Sequence, residues 1–254
     1  ETAEVDWSWA FEWARTLSEQ SGVNLTFVYD SYDRDRLARG FLNTVYLSLV
    51  CLFLSVVIGV LGAWLQGSKL VWTRRIVQGY IQFFRNTPPL VQLYFFYFAI
   101  GSLMPTYENR FGFQEPMLDN FAWAVISLSF FAGAFNVEIF RSGIEAVPAA
   151  TVEAAESLGY NRLQAYRYIV LPLAFRVCLP ALNNNLVNLV KTTTLAYAIA
   201  VPEMLYMANQ IWSDSVNVPE TMTFLLFAYV FLVGLLVWAM HAWERSMRMP
   251  GYGR

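Results

Sequence analysis

Long apolar runs separated by short polar ones dominate the chain. Phe41–Leu65 carries no charge, and its 25 residues at about 1.5 Å each suffice to cross a hydrocarbon layer about 30 Å thick. A second run, residues 76–104, is interrupted by Arg85 and the Pro88-Pro89 pair, which predicts a kinked span with a cytosol-facing lower part. The third run, Phe121–Val137, passes into a charged continuation through Glu138 and Arg141, and the fourth, residues 177–201, holds one charge, Lys191. The fifth, Thr221–Trp243, is uncharged when His241 is neutral. The pattern predicts an all-α integral membrane protein with five transmembrane helices and its termini on opposite sides.

The polar positions between the runs orient the chain, because Lys and Arg near span ends favour the cytosol. Lys69, Arg74 and Arg75 lie between spans one and two, Arg162 and Arg167 between three and four, and Arg245, Arg248 and Arg254 in the tail. The 2–3 connector has only Arg110 among Glu108, Glu115 and Asp119, and the 4–5 connector has Glu203, Asp214 and Glu220 without a basic residue. The N-terminus is therefore expected outside and the C-terminus in the cytosol. Arg34, Arg36 and Arg39 dissent, since they precede the first span on the outer side.

Residues 1–36 form an outer N-terminal segment. Val5, Trp9, Trp13 and Leu17 recur every four residues opposite Asp6, Glu12 and Glu19, which fits either a short helix lying flat at the outer interface or a locally packed tail with its tryptophans at headgroup level. The transmembrane domain is expected over residues 37–250, with 251–254 as a cytosolic tail. The chain starts at Glu1 with no basic region ahead of a short apolar core, so no signal peptide is expected.

Composition narrows the class of function. Only 14% of the residues are charged, against roughly 25% in soluble domains, and 57% are apolar. The net charge of −2 supplies no basic field for nucleic acid. Cys51 and Cys178 lie in apolar runs without CxxC spacing and read as packing residues, not as a disulfide or metal site. No Ser/His/Asp set, HExxH motif or clustered acidic pair falls within the spans, which disfavours a membrane-embedded enzyme. The lack of a recognisable inverted repeat disfavours a secondary transporter or channel.

The connector from Val147 to Pro172 reads as two short helices joined by a sharp turn. Pro148 suits a first helical turn, Gly159 a left-handed helix end, and Asn161 with Gln164 a capping box that starts the second helix. Ala149, Ala150, Ala154 and Ala155 leave a low-relief surface that a groove in another protein can accept, with Glu153 and Glu156 as the charges it reads. A plain connector between spans carries the same local signals. The spacing of Glu153, Ala154, Ala155, Gly159, Ile169, Leu171 and Pro172, however, resembles the EAA loop of importers powered by ATP-binding cassettes.

Other segments resemble the polar amino acid permeases of that family. Phe84–Gln92 is similar to their FRGTPLLVQ segment, with Asn86 in place of Gly and Pro89 in place of Leu. Glu138–Ile144 resembles EIFRGAI, and Asn188–Ala196 resembles LLKSTSLA. Ala165–Tyr168 and the stretch from Trp243 to Gly251 are closest to glutamate/aspartate members, so acidic amino acids are the finer expectation. The resemblance implies a permease subunit in the bacterial cytoplasmic (inner) membrane. It also implies a second permease copy or relative, two cytosolic ATPase subunits that bind ATP and Mg, and an outer solute-binding protein. The chain itself holds no GxxxxGK[ST] phosphate loop, so it is expected to be neither an enzyme nor a holder of cofactor or metal.

Lys191 is the residue that physics singles out within the spans, since a central lysine costs roughly 2.5–3.5 kcal/mol on insertion scales and must meet a polar interior or a partner. Asn184, Asn188, Lys191 and Leu195 share one helical face, with Thr192 two turns beyond Asn184. Lys191 then either pairs with a substrate carboxylate or holds helices together through Glu138 or a loop carbonyl. Arg85, Asn86 and Thr87 at the break in the second span are further candidates for lining the pore mouth, with snorkelling by Arg85 as the alternative. After the fourth span the family usually runs toward a Val-Asp pair, whereas this chain reads Ala200-Val201-Pro202-Glu203.

Overall fold

The computed structural model describes residues 8–108 and 110–247. Val5, Asp6, Arg248, Arg254, the Pro250-Gly251 match and the 251–254 tail lie outside the described residues. The chain is built from helices α1 (Ser8–Ser21), α2 (Thr26–Tyr29), α3 (Ser31–Gln66), α4 (Val71–Asn86) and α5 (Pro89–Tyr94). A π-helical turn (Phe95–Ile100) and a 3-10 turn (Gly101–Leu103) extend α5. An antiparallel hairpin of β1 (Thr106–Glu108) and β2 (Gln114–Pro116), with Tyr107 opposite Glu115, leads to α6 (Asn120–Glu145). Then come α7 (Ala149–Ser157), α8 (Arg162–Ala165), a π turn (Tyr166–Val170), α9 (Leu171–Thr192) and a 3-10 segment (Thr193–Ile199). Finally α10 (Met204–Ser215) and α11 (Val218–Ser246) close the described chain.

Among the described residues, four helical runs are long and apolar enough to span a bilayer: Ser31–Gln66, Asn120–Glu145, Arg162–Ile199 and Val218–Ser246. The 15-residue run Pro89–Leu103 is a shorter apolar helix. The second predicted run is thus two helices, α4 and α5, meeting at Thr87-Pro88. The fourth begins well before residue 177, because the polar residues of α8 hide its start from a hydropathy pattern. α3 likewise starts ten residues ahead of the predicted span, and no break falls between residues 36 and 37.

α6 is the most buried of these helices and packs on α3, α9, α4 and α5. Its crossing with α3 is close because small residues meet. A Cβ on Gly59 or Gly62 would collide with Asn136 or Val137, and one on Gly133 would lie 2.6 Å from Ile58 Cγ2. A buried polar chain threads the same layer, with Asn136 Nδ2 donating to Ser55 Oγ at 3.3 Å. Asn185 Nδ2 donates to Asn136 Oδ1 at 2.8 Å and to the Ala132 carbonyl at 3.0 Å. In a medium without water such bonds tie helices together. α11 is the most exposed, with Phe227, Phe231, Leu235 and Trp238 facing outward as a lipid-facing helix requires.

One end of the bundle gathers α1, α2, the start of α3, the Ile199–Asn217 stretch and the start of α11, where Asn24 Nδ2 donates to the Ser215 carbonyl and the Asn24 N–H to Glu220. α1 turns Ala14 inward, while Trp9 and Trp13 are 66% and 63% exposed. Leu17 is half-buried and leaves the predicted Trp9–Trp13–Leu17 stripe, because a four-residue step drifts about 40° per repeat around a 3.6-residue helix.

Candidate functional site

The α7–α8 elbow is shaped by its own sequence. Gly159 sits at φ +87°, and the Tyr160 N–H returns to the Ala155 carbonyl at 3.1 Å, closing α7 with a left-handed residue. Asn161 Oδ1 accepts from the Gln164 N–H and Gln164 Oε1 from the Asn161 N–H, both at 2.9 Å, so both halves of the capping box are present. Ala155 turns inward beneath the elbow, while Ala149, Ala150, Glu153, Ala154 and Glu156 stay exposed. The predicted low-relief surface therefore lacks Ala155 and gains Leu158 and Leu163, exposed by 80% and 75%. Ile169 is half-buried within the π turn, and Leu171 and Pro172 open α9 in exposed positions. From Arg162 to Ile199 the helical path is continuous, which joins the elbow to the fourth span.

The second cluster lies on α9. Asn184, Asn188 and Lys191 are exposed along one stripe, and Thr192 is half-buried beside them. Lys191 has no ion pair among the described residues. Glu138, its proposed structural partner, is instead engaged by Arg85 Nη1 at 3.5 Å and Arg141 Nη2 at 3.3 Å. Leu195 leaves the stripe for the core around Leu47 and Leu128. The cause is local: the hydroxyls of Thr192, Thr193 and Thr194 donate to the carbonyls of Asn188, Val190 and Lys191, and the α-helix tightens into a 3-10 turn.

Arg85, Asn86 and Thr87 stand at the break between α4 and α5. Arg85 lies over the Phe135 ring at 5.4 Å, and Asn86 Nδ2 donates to Gln82 Oε1 at 2.8 Å. Pro88 has no N–H for the Phe84 carbonyl, its i−4 partner. Gln92 Nε2 takes that place at 2.8 Å, and also reaches the Thr87 carbonyl at 2.9 Å and Thr87 Oγ1. Nearby, Arg141 Nη1 donates to Glu145 Oε1 at 2.6 Å. Glu138, Arg141 and Glu145 line a cleft of about 540 Å³ together with Gln66, Arg74, Arg75 and Gln78.

The turn that departs from the family pattern is a built structure. Ala200 takes φ +58°, and Asn120 Nδ2 donates to its carbonyl at 2.7 Å. Glu203 is wholly buried and caps α10, accepting from the N–H groups of Leu205 and Tyr206 at 2.9 and 2.8 Å and from the Tyr229 hydroxyl at 2.9 Å. Burial pushes its carboxyl from 4.5 up to about 7, and the three donors only partly oppose that shift. Gln92 and Glu203 are the residues that sequence reasoning missed. The only signals were the Pro-Pro pair before Gln92 and the acidic residue directly ahead of an amphipathic stretch after Glu203.

The sequence pattern of the family described as binding-protein-dependent transport system inner membrane component matches residues 55–249. The glutamate/aspartate import permease protein GltJ of Escherichia coli (strain K12) is 27% identical over 249 residues, 97% of this chain and 97% of that protein. The octopine transport system permease protein OccM of Rhizobium radiobacter is 32% identical over 220 residues, 82% of this chain and 89% of that protein. Among solved structures, one described as the crystal structure of an amino acid ABC transporter with histidines superposes with a TM-score of 0.75. It is 26% identical and covers 88% of this chain and 99% of that chain.

Proposed function

Because the chain belongs to the family of binding-protein-dependent transport system inner membrane components, we propose that it forms half of an amino acid pathway and that its α7–α8 elbow receives the stroke of a separate ATPase. It is a permease subunit of an ATP-binding-cassette importer and resides in the inner membrane. A second permease completes the pathway, two cytosolic ATPase subunits bind ATP and Mg, and an outer solute-binding protein delivers the substrate. The chain crosses the membrane five times, counting α4–α5 as one kinked span, with the N-terminus outside and the C-terminus inside. Support for this orientation is the run of Lys69, Arg74, Arg75, Arg162 and Arg245 in the connectors on the elbow side, against Asp214 and Glu220 in the 4–5 connector; Arg34, Arg36 and Arg39 oppose it.

The substrate is a polar amino acid, with acidic ones favoured. The names of the similar permeases support the class, and the uncompensated charge of Lys191 beside Asn184 and Asn188 supports the preference. Lipid does not tolerate such a stripe, whereas a pathway between two permeases needs it. Arg85, Asn86 and Thr87 line the same pathway nearer its cytosolic mouth.

The observation that carries the reading is the exposed elbow, with Gly159 at positive φ and a continuous helical run from Arg162 to the Lys191 stripe. ATP-driven closure of the partner pushes on Glu153 and Ala154, and the continuous helical run carries that displacement to the pathway. In vesicles holding the permease, ATPase and binding protein, Gly159→Val should leave ATP hydrolysis in place and cut uptake per ATP roughly tenfold. Uptake per ATP equal to the wild type would overturn the coupling role.

A further inference from the structure

The arginines that dissent from the orientation rule lead to a site apart from the α7–α8 elbow and the Lys191 stripe. Arg36 is neutralised where it stands, its Nη1 2.7 Å from Asp214 and 3.7 Å from Asp33. Arg39 Nε reaches only the Asp35 carbonyl of its own helix and points into the open. Arg34 is different. It is half-buried, its guanidinium lies 3.9 Å over the Phe11 ring, and Nη1 donates to the Val28 carbonyl at 3.3 Å. No carboxylate pairs with it among the described residues.

Arg34 also lines a cleft of about 440 Å³ beneath α1, and it is the one charged residue among those that do. Phe11, Phe27, Phe41, Met204 and Phe224 make the rest of the wall apolar. The volume falls in the range of small-molecule pockets, about 300–1,000 Å³. Directly above, Trp9 and Trp13 face away from the protein, and tryptophans so placed favour the headgroup level of a membrane. An apolar slot with a single unneutralised guanidinium at its rim, covered by a helix whose tryptophans face outward, has the charge and polarity profile of one lipid.

We propose that this cleft holds an acyl chain of an anionic glycerophospholipid whose phosphate is bound by Arg34. A guanidinium offers a phosphate paired N–H donors, and its remaining donors are uncommitted here. A zwitterionic lipid places a compensating cation beside the same phosphate and gains less. Two of the three arginines ahead of the predicted first span then divide by role: Arg36 secures α3 to α10, and Arg34 anchors lipid.

The test uses the full importer complex, delipidated in mild detergent and titrated with dioleoyl-phosphatidylglycerol or dioleoyl-phosphatidylcholine, with retained lipid counted by native mass spectrometry. Arg34→Gln should weaken phosphatidylglycerol retention roughly fivefold, the scale of one basic residue against an anionic lipid. Ala38→Phe, which fills the cleft while leaving Arg34 intact, should lower it as well, because a chain and not only a headgroup is held. Millimolar inorganic phosphate should fail to displace the lipid. Equal retention by Arg34→Gln and wild type would overturn the proposal, as would equal retention of both lipids by the wild type. Displacement by phosphate, or retention undiminished in Ala38→Phe, would reduce the site to a surface anion contact and overturn it too.

Discussion

Pro88 deprives the Phe84 carbonyl of its helical donor, and the side chain of Gln92 supplies one from the far side of the bend. Gln92→Leu keeps the volume but strands that buried carbonyl, a loss of about 1–3 kcal/mol. A lower unfolding midpoint of the detergent-solubilised protein, with insertion unchanged, is the expected result, and an unaltered midpoint would show that the bend is held by packing alone. Glu203 gives a second measurement at this scale. Its folded pKa of about 7 lies above the ordinary 4.5, so the folded state binds more protons than the unfolded one between these values. The stability that Glu203 contributes is therefore fully present below about pH 4.5 and falls as pH rises toward about 7, beyond which it is lost. Thermal unfolding from about pH 5 to about pH 8 should show this decline in the wild type, and Glu203→Gln should remove that component of the slope. Neither role was legible beforehand. Gln92 serves carbonyls that only the Pro88-Pro89 pair hints at, and Glu203 counted as an outer acid and a departure from the family pattern until α10 and α11 packed around it.

Helix by helix, what the sequence displayed well was the length of each apolar run and the elbow between α7 and α8, whose glycine and capping box act within a few residues of themselves. It hid elements whose identity depends on distant partners. The first turns of α3 are charged and still helical because Arg36 pairs both with Asp33 on that helix and with Asp214 of α10. α10 itself, short and amphipathic, exists as a helix against α3 and α11. The closest such dependence is the crossing of α3 with α6, where Gly59 admits Asn136 and Asn136 in turn bonds Ser55 and Asn185. Gly59→Leu must force the helices apart and break that polar chain, a cost of about 1–3 kcal/mol for overpacking with more from the lost bonds. Reduced yield of folded protein and a lower unfolding midpoint are expected. Gly79→Leu is the matched control, since a Cβ there meets nothing within 4 Å and its stability should stay near that of the wild type.

For the whole molecule, the question is what faces the Asn184–Asn188–Lys191 stripe, which the chain by itself leaves uncovered. A stripe kept for helix packing would have found partners inside the bundle, as Asn183 does with Glu244 and Asn185 with Asn136. The neighbouring asparagines thus divide by direction: two hold the bundle, and Asn184 points away from it with Lys191. If Lys191 meets the carboxylate of an acidic substrate, Lys191→Met removes a charge-assisted bond in a low-dielectric pathway, worth about 1.5–3 kcal/mol, or roughly ten- to a hundredfold in transport. The loss should be largest for an anionic amino acid and smaller for a neutral polar one, with permease pairing and ATPase recruitment intact by gel filtration. Lys191→Arg should restore part of the uptake, because it returns the charge with a different shape. A variant that fails to pair with the second permease, while any assembled complex transports normally, would assign Lys191 to the interface between permeases and leave substrate choice to the asparagines.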